Sequence, residues 1–419
     1  MKKTENQRLD MLNLGAGGLL LILLLLANAC TSPKEKFIED NVAFAQMQLD
    51  AALNAMKEDS VVRKFPRSVK TDGSIVYVGP YDWTSGFFPG SLWYLYELNG
   101  DVRWQQEASR TTEWLDKIQY YTGNHDVGFM INCSYGNALR LTGNAAYQQV
   151  LINAAESLST RFSPVTGVIK SWGGGKTRDG HVWQYPVIID NMMNLELLFK
   201  ASELSGNDKY RNIAIQHANT TIENHFREDY SSYHVLDYDT ITGEVRGRYT
   251  HQGYSHESSW ARGQAWGLYG FTLTHRATGD EKYLKQAESI ADYIINHPNL
   301  PDDRVPLWDY HVKDDAYAPS WVAEMPQQEE PSRDASAAAI TCSALFELSQ
   351  VSDKGDVYYA FAKELLQNLS AHYRSVNNPY FILEHSVGYL AANSEVDVPL
   401  NYADYYFLEA LLRFKQLNK

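Results

Sequence analysis

Apolar and mixed segments alternate along this chain, and a short glycine-containing turn marks five of the changeovers: "LNGDVRWQQEASRTTEWL", "LTGNAAYQQVLINAAESL", "LSGNDKYRNIAIQHANTTI", "ATGDEKYLKQAESIADYI" and "SDKGDVYYAFAKELLQNL". In each, an aromatic residue follows the glycine by four positions: Gly100 with Trp104, Gly143 with Tyr147, Gly206 with Tyr210, Gly279 with Tyr283, Gly355 with Tyr359. A glycine that ends one helical pattern just before another begins predicts a helical hairpin. The segments before the turns, roughly 87–98, 134–141, 190–204, 262–277 and 335–350, are rich in Leu, Ala, Gly and aromatics, whereas Lys, Glu and Gln enter the segments after them. The first kind reads as buried helix and the second as outer wall. An opening outer helix near 37–57 and a closing inner one, "NYADYYFLEALLRF" at 402–415, bring the count to six of each.

The turns lie 43, 63, 73 and 76 residues apart, too unevenly for an open solenoid of uniform repeats. The extra length falls in the loops before inner helices, so the expected fold is all-α, a closed (α/α)6 barrel formed by residues 31–419 as a single domain. With six inner helices running the same way, their N-termini meet at one mouth, where partial positive charges converge. The loops that enter this mouth carry the unusual residues: "YDWTSGFFPG", "NHDVGFM", "SWGGGKTRDGHVWQYPVIID", "HQGYSHESSWARGQAW", "PSRDASAAA" and "EVDVPLNYADYY". That mouth is therefore the expected site.

Residues 1–30 change the picture at one end. Lys2, Lys3 and Arg8 precede the apolar run "LLLILLLLANAC", which has the form of a signal peptide. Its ending resembles a bacterial lipoprotein processing box with Cys30 as the lipidated residue, and the expected location is periplasmic, with the membrane touched only through that anchor. The two remaining cysteines, Cys133 and Cys342, stand 209 positions apart in apolar runs and read as buried thiols. A formal net charge of −14 excludes nucleic acid, whose binding needs a surface of Lys and Arg. Aromatic residues at 13%, with 28 Tyr and 10 Trp, suit a cleft that stacks on sugar rings. Neither zinc-ligand spacing nor a phosphate-cradling G-x-x-x-x-G-K-[ST] loop occurs in the sequence.

Two carboxylates stand out because each opens an inner helix inside an aromatic loop: Asp126 in "HDVGF" and Asp190 in "VIIDNMMNL". A plain helix cap explains either one, since Asp accepts the free N–H groups of a first turn. Two at one mouth, flanked by His125, Trp172 and Trp183, instead fit a pair that transfers protons and orients water. Arg262 and Trp266, four apart on one helical face, offer a partner for a carboxylate and a stacking surface, or else an internal ion pair and a core residue.

In that order, "HDVGF", "IIDNMMNLELLF", "SSWARGQAWGLYGF", "RDASAAA" and "DYYFLEALLR" resemble the unsaturated glucuronyl hydrolases of glycoside hydrolase family 88, over nearly everything after the leader. The resemblance implies an (α/α)6 barrel, no cofactor, and hydration of a 4,5-unsaturated uronic acid at the non-reducing end of disaccharides and short oligosaccharides. By motif, Asp190 looks like the general acid and base and Asp126 its partner. His234, Gln252, Arg262 and Trp266 look like substrate contacts, Trp83 and Trp172 like stacking aromatics, and His125 like a support or ring contact. The loop before Asp190 leaves open whether Trp172 or Trp183 faces the substrate. An unsaturated rhamnogalacturonyl hydrolase, or a lipid-anchored sugar-binding protein without turnover, is the alternative.

Overall fold

The structure, a computed structural model, describes residues 32–418. The leader and Cys30 lie outside the described residues. Six inner helices form a closed ring: α2 (Phe87–Asn99), a composite of α4 (Val127–Ile131) and α5 (Asn137–Thr142), α7 (Asn191–Ser205), α9 (Ala261–Thr278), α11 (Ala335–Leu348) and α13 (Asn401–Leu417). Each packs on the next, and α13 closes back onto α2. Outside run α1 (Pro33–Glu58), α3 (Val102–Thr112), α6 (Ala145–Ser159), α8 (Asp208–His225), α10 (Glu281–Asn296) and α12 (Gly355–His372). The ring is apolar on nearly every face; α11 and α9 are buried almost end to end. Small residues allow this closeness: a Cβ on Gly270 of α9 would collide with Met192 of α7, and one on Gly128 of α4 with Asn194 of α7.

Four of the five turns form as the glycine pattern predicts. Gly100, Gly143, Gly206 and Gly279 end inner helices with φ between 64° and 74°, a left-handed conformation that favours glycine. The next residue, Asp101, Asn144, Asn207 or Asp280, then caps the outer helix through its side chain. The fifth differs. Gly355 is the first residue of α12 and has no positive φ; it is small because a Cβ there would strike the Ser349 carbonyl. The aromatic that fills the fully buried position is accordingly Tyr358, one place earlier than expected.

Two further departures bear on the site. The second inner helix begins at Val127 rather than near 134, and a π-helical turn, Asn132–Gly136, joins its halves. In addition, short antiparallel strands brace the loops of the otherwise all-α fold: β1 (Phe65–Val69) with β2 (Ile75–Val78), β3 (Phe162–Ser163) with β4 (Val168–Ile169), β5 (Pro186–Ile188) with β6 (Val235–Tyr238) and β7 (Val245–Tyr249), and β8 (Ser386–Tyr389) with β9 (Ser394–Val398). At two to five residues each, these segments are too short for helices. Cys133 and Cys342 are free and buried, as the sequence indicates.

Candidate active site

The register of one small sheet builds the centre of the mouth. Ile188 pairs with Val235, and the Ile189 N–H donates to the His234 carbonyl at 3.1 Å. The next residue on the first strand is Asp190, so His234 and Asp190 are brought side by side although 44 positions separate them in sequence. The His234 Nε2 lies 3.9 Å from Asp190 Oδ1. On the other side of the ring, Nδ1 accepts the backbone N–H groups of His251 at 3.2 Å and Gln252 at 3.1 Å. An imidazole nitrogen that accepts carries no proton, so the N–H is on Nε2 and faces the carboxylate. Burial and the neighbouring His251 and Arg262 charges keep the pKa of His234 well below its usual value, and Trp260 stacks on the ring at 4.4 Å.

Asp190 occupies the N-cap position of α7, yet its side chain accepts no hydrogen bond from the helix. Its Oδ1 is buried without a hydrogen-bond partner. The cap reading therefore does not hold for Asp190, nor for Asp126, which sits at the N-cap of α4 with no side-chain cap bond. Asp334 shows what a cap at this mouth looks like: its Oδ1 accepts the N–H groups of Ser336 and Ala337 and the Ser336 hydroxyl, while its Oδ2 accepts from Arg262.

The environment changes the ionisation of both uncapped carboxyls. Burial pushes Asp190 up to about 7, against the pull of the Arg262 guanidinium, its own backbone N–H and the Trp266 indole. That indole N–H reaches Asp190 electrostatically but completes no hydrogen bond. Burial first, then the Asp190 and Asp82 carboxylates, raises Asp126 well above the ordinary range, with Arg161 opposing. His125 Nε2 stands 3.3 Å from Asp126 Oδ1, and burial depresses this imidazole to about 3, so it is neutral. A buried acid near neutrality beside a second carboxyl is suited to giving and taking a proton at physiological pH. The Phe129 N–H donates to Asn194 Oδ1 at 2.8 Å, tying the two helices that carry these carboxyls.

Arg262 is placed differently from the free anion-binding group that its motif implies. Its guanidinium pairs with Asp334 at 3.0 Å and donates to the carbonyls of Val387 and Gly388. It lies 4.4 Å over the Trp260 ring. This is the internal ion pair: in this structure Arg262 holds β8 against α9 and supplies positive potential to Asp190 from within the wall. Gln252 likewise bridges, its Nε2 donating to the Gly388 carbonyl at 2.8 Å. Trp266 is fully buried between Phe129 and Tyr406. Trp83 is half-buried and packs on Tyr402 at 5.0 Å. Trp172 is half-buried whereas Trp183 is 6% exposed, so of the two indoles Trp172 presents more surface at the mouth.

Three further residues belong to this wall. His251 packs against both Trp172 at 5.6 Å and Tyr389 at 4.7 Å, and Asp82 takes the Arg67 guanidinium at 2.8 Å. The only signal for His251 is its place beside Gln252 in "HQGY". The signal for Asp82 is its place beside Trp83 in "YDWTSG", whereas Tyr389 meets the others through the fold alone.

The family model for Glycosyl Hydrolase Family 88 matches residues 57–347. An unsaturated glucuronyl hydrolase of Formosa agariphila is 45% identical over 359 residues, covering 84% of this chain and 85% of its own. The unsaturated chondroitin disaccharide hydrolase of Streptococcus agalactiae is 33% identical over 344 residues, or 80% and 81% of the two chains. Among solved structures, an unsaturated glucuronyl hydrolase specific for heparin superposes with a TM-score of 0.83 at 46% identity, over 92% of this chain and 98% of that one.

Proposed function

This chain belongs to glycoside hydrolase family 88, and on that premise we propose that it is an unsaturated glucuronyl hydrolase acting on the fragments that polysaccharide lyases leave from glycosaminoglycans. The observation that carries the mechanism is the uncapped, buried Asp190, with a pKa of about 7 and a neutral His234 N–H turned towards it. In its acid form Asp190 delivers a proton to C4 of the enol ether. Water adds its oxygen at C5 and returns a proton to the carboxylate, so that one water has added across the double bond. The resulting hemiketal collapses and releases the neighbouring sugar. Asp126, backed by His125, holds the ring, while burial keeps Asp190 in its acid form. Trp172 and Trp83 supply stacking faces, and Gln252, Arg262 and Trp266 fix the wall behind them.

Heparin-type disaccharides come first among the substrates, because the heparin-specific relative shares 46% of its sequence with this chain. Hydration removes the conjugated chromophore, so the test is loss of ultraviolet absorbance with unsaturated heparin, chondroitin, hyaluronan and rhamnogalacturonan disaccharides in parallel. Turnover of a glycosaminoglycan disaccharide that vanishes in Asp190→Asn supports the reading. Turnover confined to rhamnogalacturonan moves the enzyme to pectin fragments, and binding without turnover makes it a sugar-binding protein. For location, the leader sequence supports export as a lipoprotein anchored at Cys30; acylation that persists in Cys30→Ala refutes it.

A further inference from the structure

We propose that Arg178 reads a sulfate on the sugar joined to the unsaturated uronate, and so sets which sulfated disaccharides this enzyme prefers. This rests on the activity proposed above.

Arg178 rides on a hairpin that leaves Trp172 and returns at Trp183. Lys176 pairs with Val182 in an antiparallel bridge, and the Thr177 N–H donates to the His181 carbonyl at 2.8 Å. Thr177 is buried, and its hydroxyl accepts the His181 N–H at 2.7 Å. Lys176 and Arg178, which flank Thr177 on the hairpin and in its turn, are both exposed. The hairpin has a fixed base: His181 meets Asp237 at 3.0 Å, and Asp179 meets His256 at 3.2 Å.

Arg178 nevertheless does not point into open solvent. Its guanidinium lies 5.3 Å over the ring of Tyr389, and its Nε is 3.4 Å from the Tyr389 hydroxyl. Tyr389 packs at 4.7 Å on His251, whose ring is 5.6 Å from Trp172 and 6.3 Å from His234. A continuous wall thus runs from the Asp190 carboxyl through His234, His251 and Tyr389 to Arg178 at the rim. A disaccharide with its unsaturated ring at Asp190 and Trp172 extends its second ring along that wall.

Charge identifies what the rim would meet. Among the described residues neither Lys176 nor Arg178 has a carboxylate within ion-pair distance, because the adjacent Asp179 is taken by His256. The whole chain carries a net charge of −14. A sulfated second sugar is repelled by that field unless a cation stands where the sulfate arrives. A guanidinium supplies a planar fork that matches two sulfate oxygens, and stacking on Tyr389 holds the fork in place.

The test is the ratio of kcat/KM for N-sulfated or 6-O-sulfated unsaturated disaccharides to that for the non-sulfated parent. In Arg178→Ala this ratio is expected to fall about ten-fold, equivalent to about 1.4 kcal/mol, mainly through KM. Arg178→Lys restores part of it and Arg178→Glu lowers it further. Raising the salt concentration narrows the difference between wild type and Arg178→Ala, since the contact is exposed. A ratio within two-fold of wild type in both the Ala and Glu variants overturns the proposal, as does a wild type that turns over only non-sulfated disaccharides. Wild type inactive on every glycosaminoglycan disaccharide, by contrast, overturns the activity on which the proposal stands.

Discussion

The two ends of the barrel each bury a carboxylate, and they treat it in opposite ways. At the base, Glu409 accepts from the hydroxyls of Tyr94 at 2.7 Å, Tyr269 at 3.0 Å and Ser343 at 2.6 Å, with Arg413 3.5 Å away. Burial alone would raise its pKa, but Arg413 and these donors outweigh it and hold Glu409 below its usual value. At the mouth, Asp190 has a buried oxygen with no partner and is pushed up to about 7. Around it, His125 Nδ1, His234 Nε2 and Trp266 Nε1 also lack partners. Buried polar atoms are normally satisfied. A cluster of exceptions around one carboxyl marks a surface shaped for something that arrives, whereas a fully bonded carboxylate marks a fastener. A cavity of about 310 Å³ also opens at the base, lined by residues including Arg140, Glu196, Arg276, Glu409 and Arg413. Space alone would make it a candidate, but Arg140, Arg276 and Arg413 are already paired with glutamates.

This contrast is best broken by exchanging the roles. Asp190→Asn keeps the shape but removes the exchangeable proton, so steady-state turnover should fall roughly 10³-fold or more, at the upper part of the range for general acid–base groups. Turnover within ten-fold of wild type would make Asp190 another fastener. At the base, Glu409→Ala takes the acceptor from three buried hydroxyls and leaves Arg413 only the Glu347 carboxylate, and should cost about 3–5 kcal/mol in denaturant unfolding, with kcat per folded molecule within two-fold of wild type. A marked loss of kcat there would give the base a part in the chemistry.

The pH dependence sharpens the same comparison. In the proposed mechanism the proton that goes to C4 comes from Asp190 in its acid form, so log kcat/KM should decline above pH about 7 with a slope approaching −1. A flat profile to pH 9 would remove Asp190 as the acid. A smaller effect concerns stability. A carboxyl whose folded pKa is raised binds more protons folded than unfolded, so its contribution to stability falls as pH climbs from its unfolded value of about 4 to about 7 and is constant beyond. Asp190→Asn escapes that loss. Its Tm relative to wild type should therefore rise between pH 4 and pH 7, by about a few degrees, and level off. Glu409, with its pKa lowered, predicts the reverse sign for Glu409→Gln: the variant loses ground to wild type as pH rises through the carboxylate range.

Much of this molecule is legible in its sequence. Alternating apolar and mixed segments, with glycine turns between them, fix six inner and six outer helices, because helix periodicity and a left-handed C-cap are set by residues within one or two turns of each other. Direction follows as well: every inner helix enters from a long loop, so the N-termini, Asp126 and Asp190 collect at one end. Gly355 and the π-helical turn at Asn132–Gly136 escaped the pattern, since a close approach to Ser349 and an inserted residue leave no periodic trace.

What the tertiary structure alone decided is the state of each group at that end. Asp190 and Asp334 are both aspartates at helix N-caps, and nothing local separates the one that caps from the one that titrates. Arg262 reads equally as a ligand contact or an internal ion pair until Asp334 and Gly388, the latter 126 positions later, are seen to accept from it at 3.0 and 2.7 Å. Tyr389 joins the wall through β8, far from every motif. Ionisation and hydrogen bonding depend on who stands within a few ångströms and on how much water remains. In a closed ring those neighbours come from distant parts of the chain, so the sequence set the helices and their polarity while packing chose which carboxylate was left unpaired.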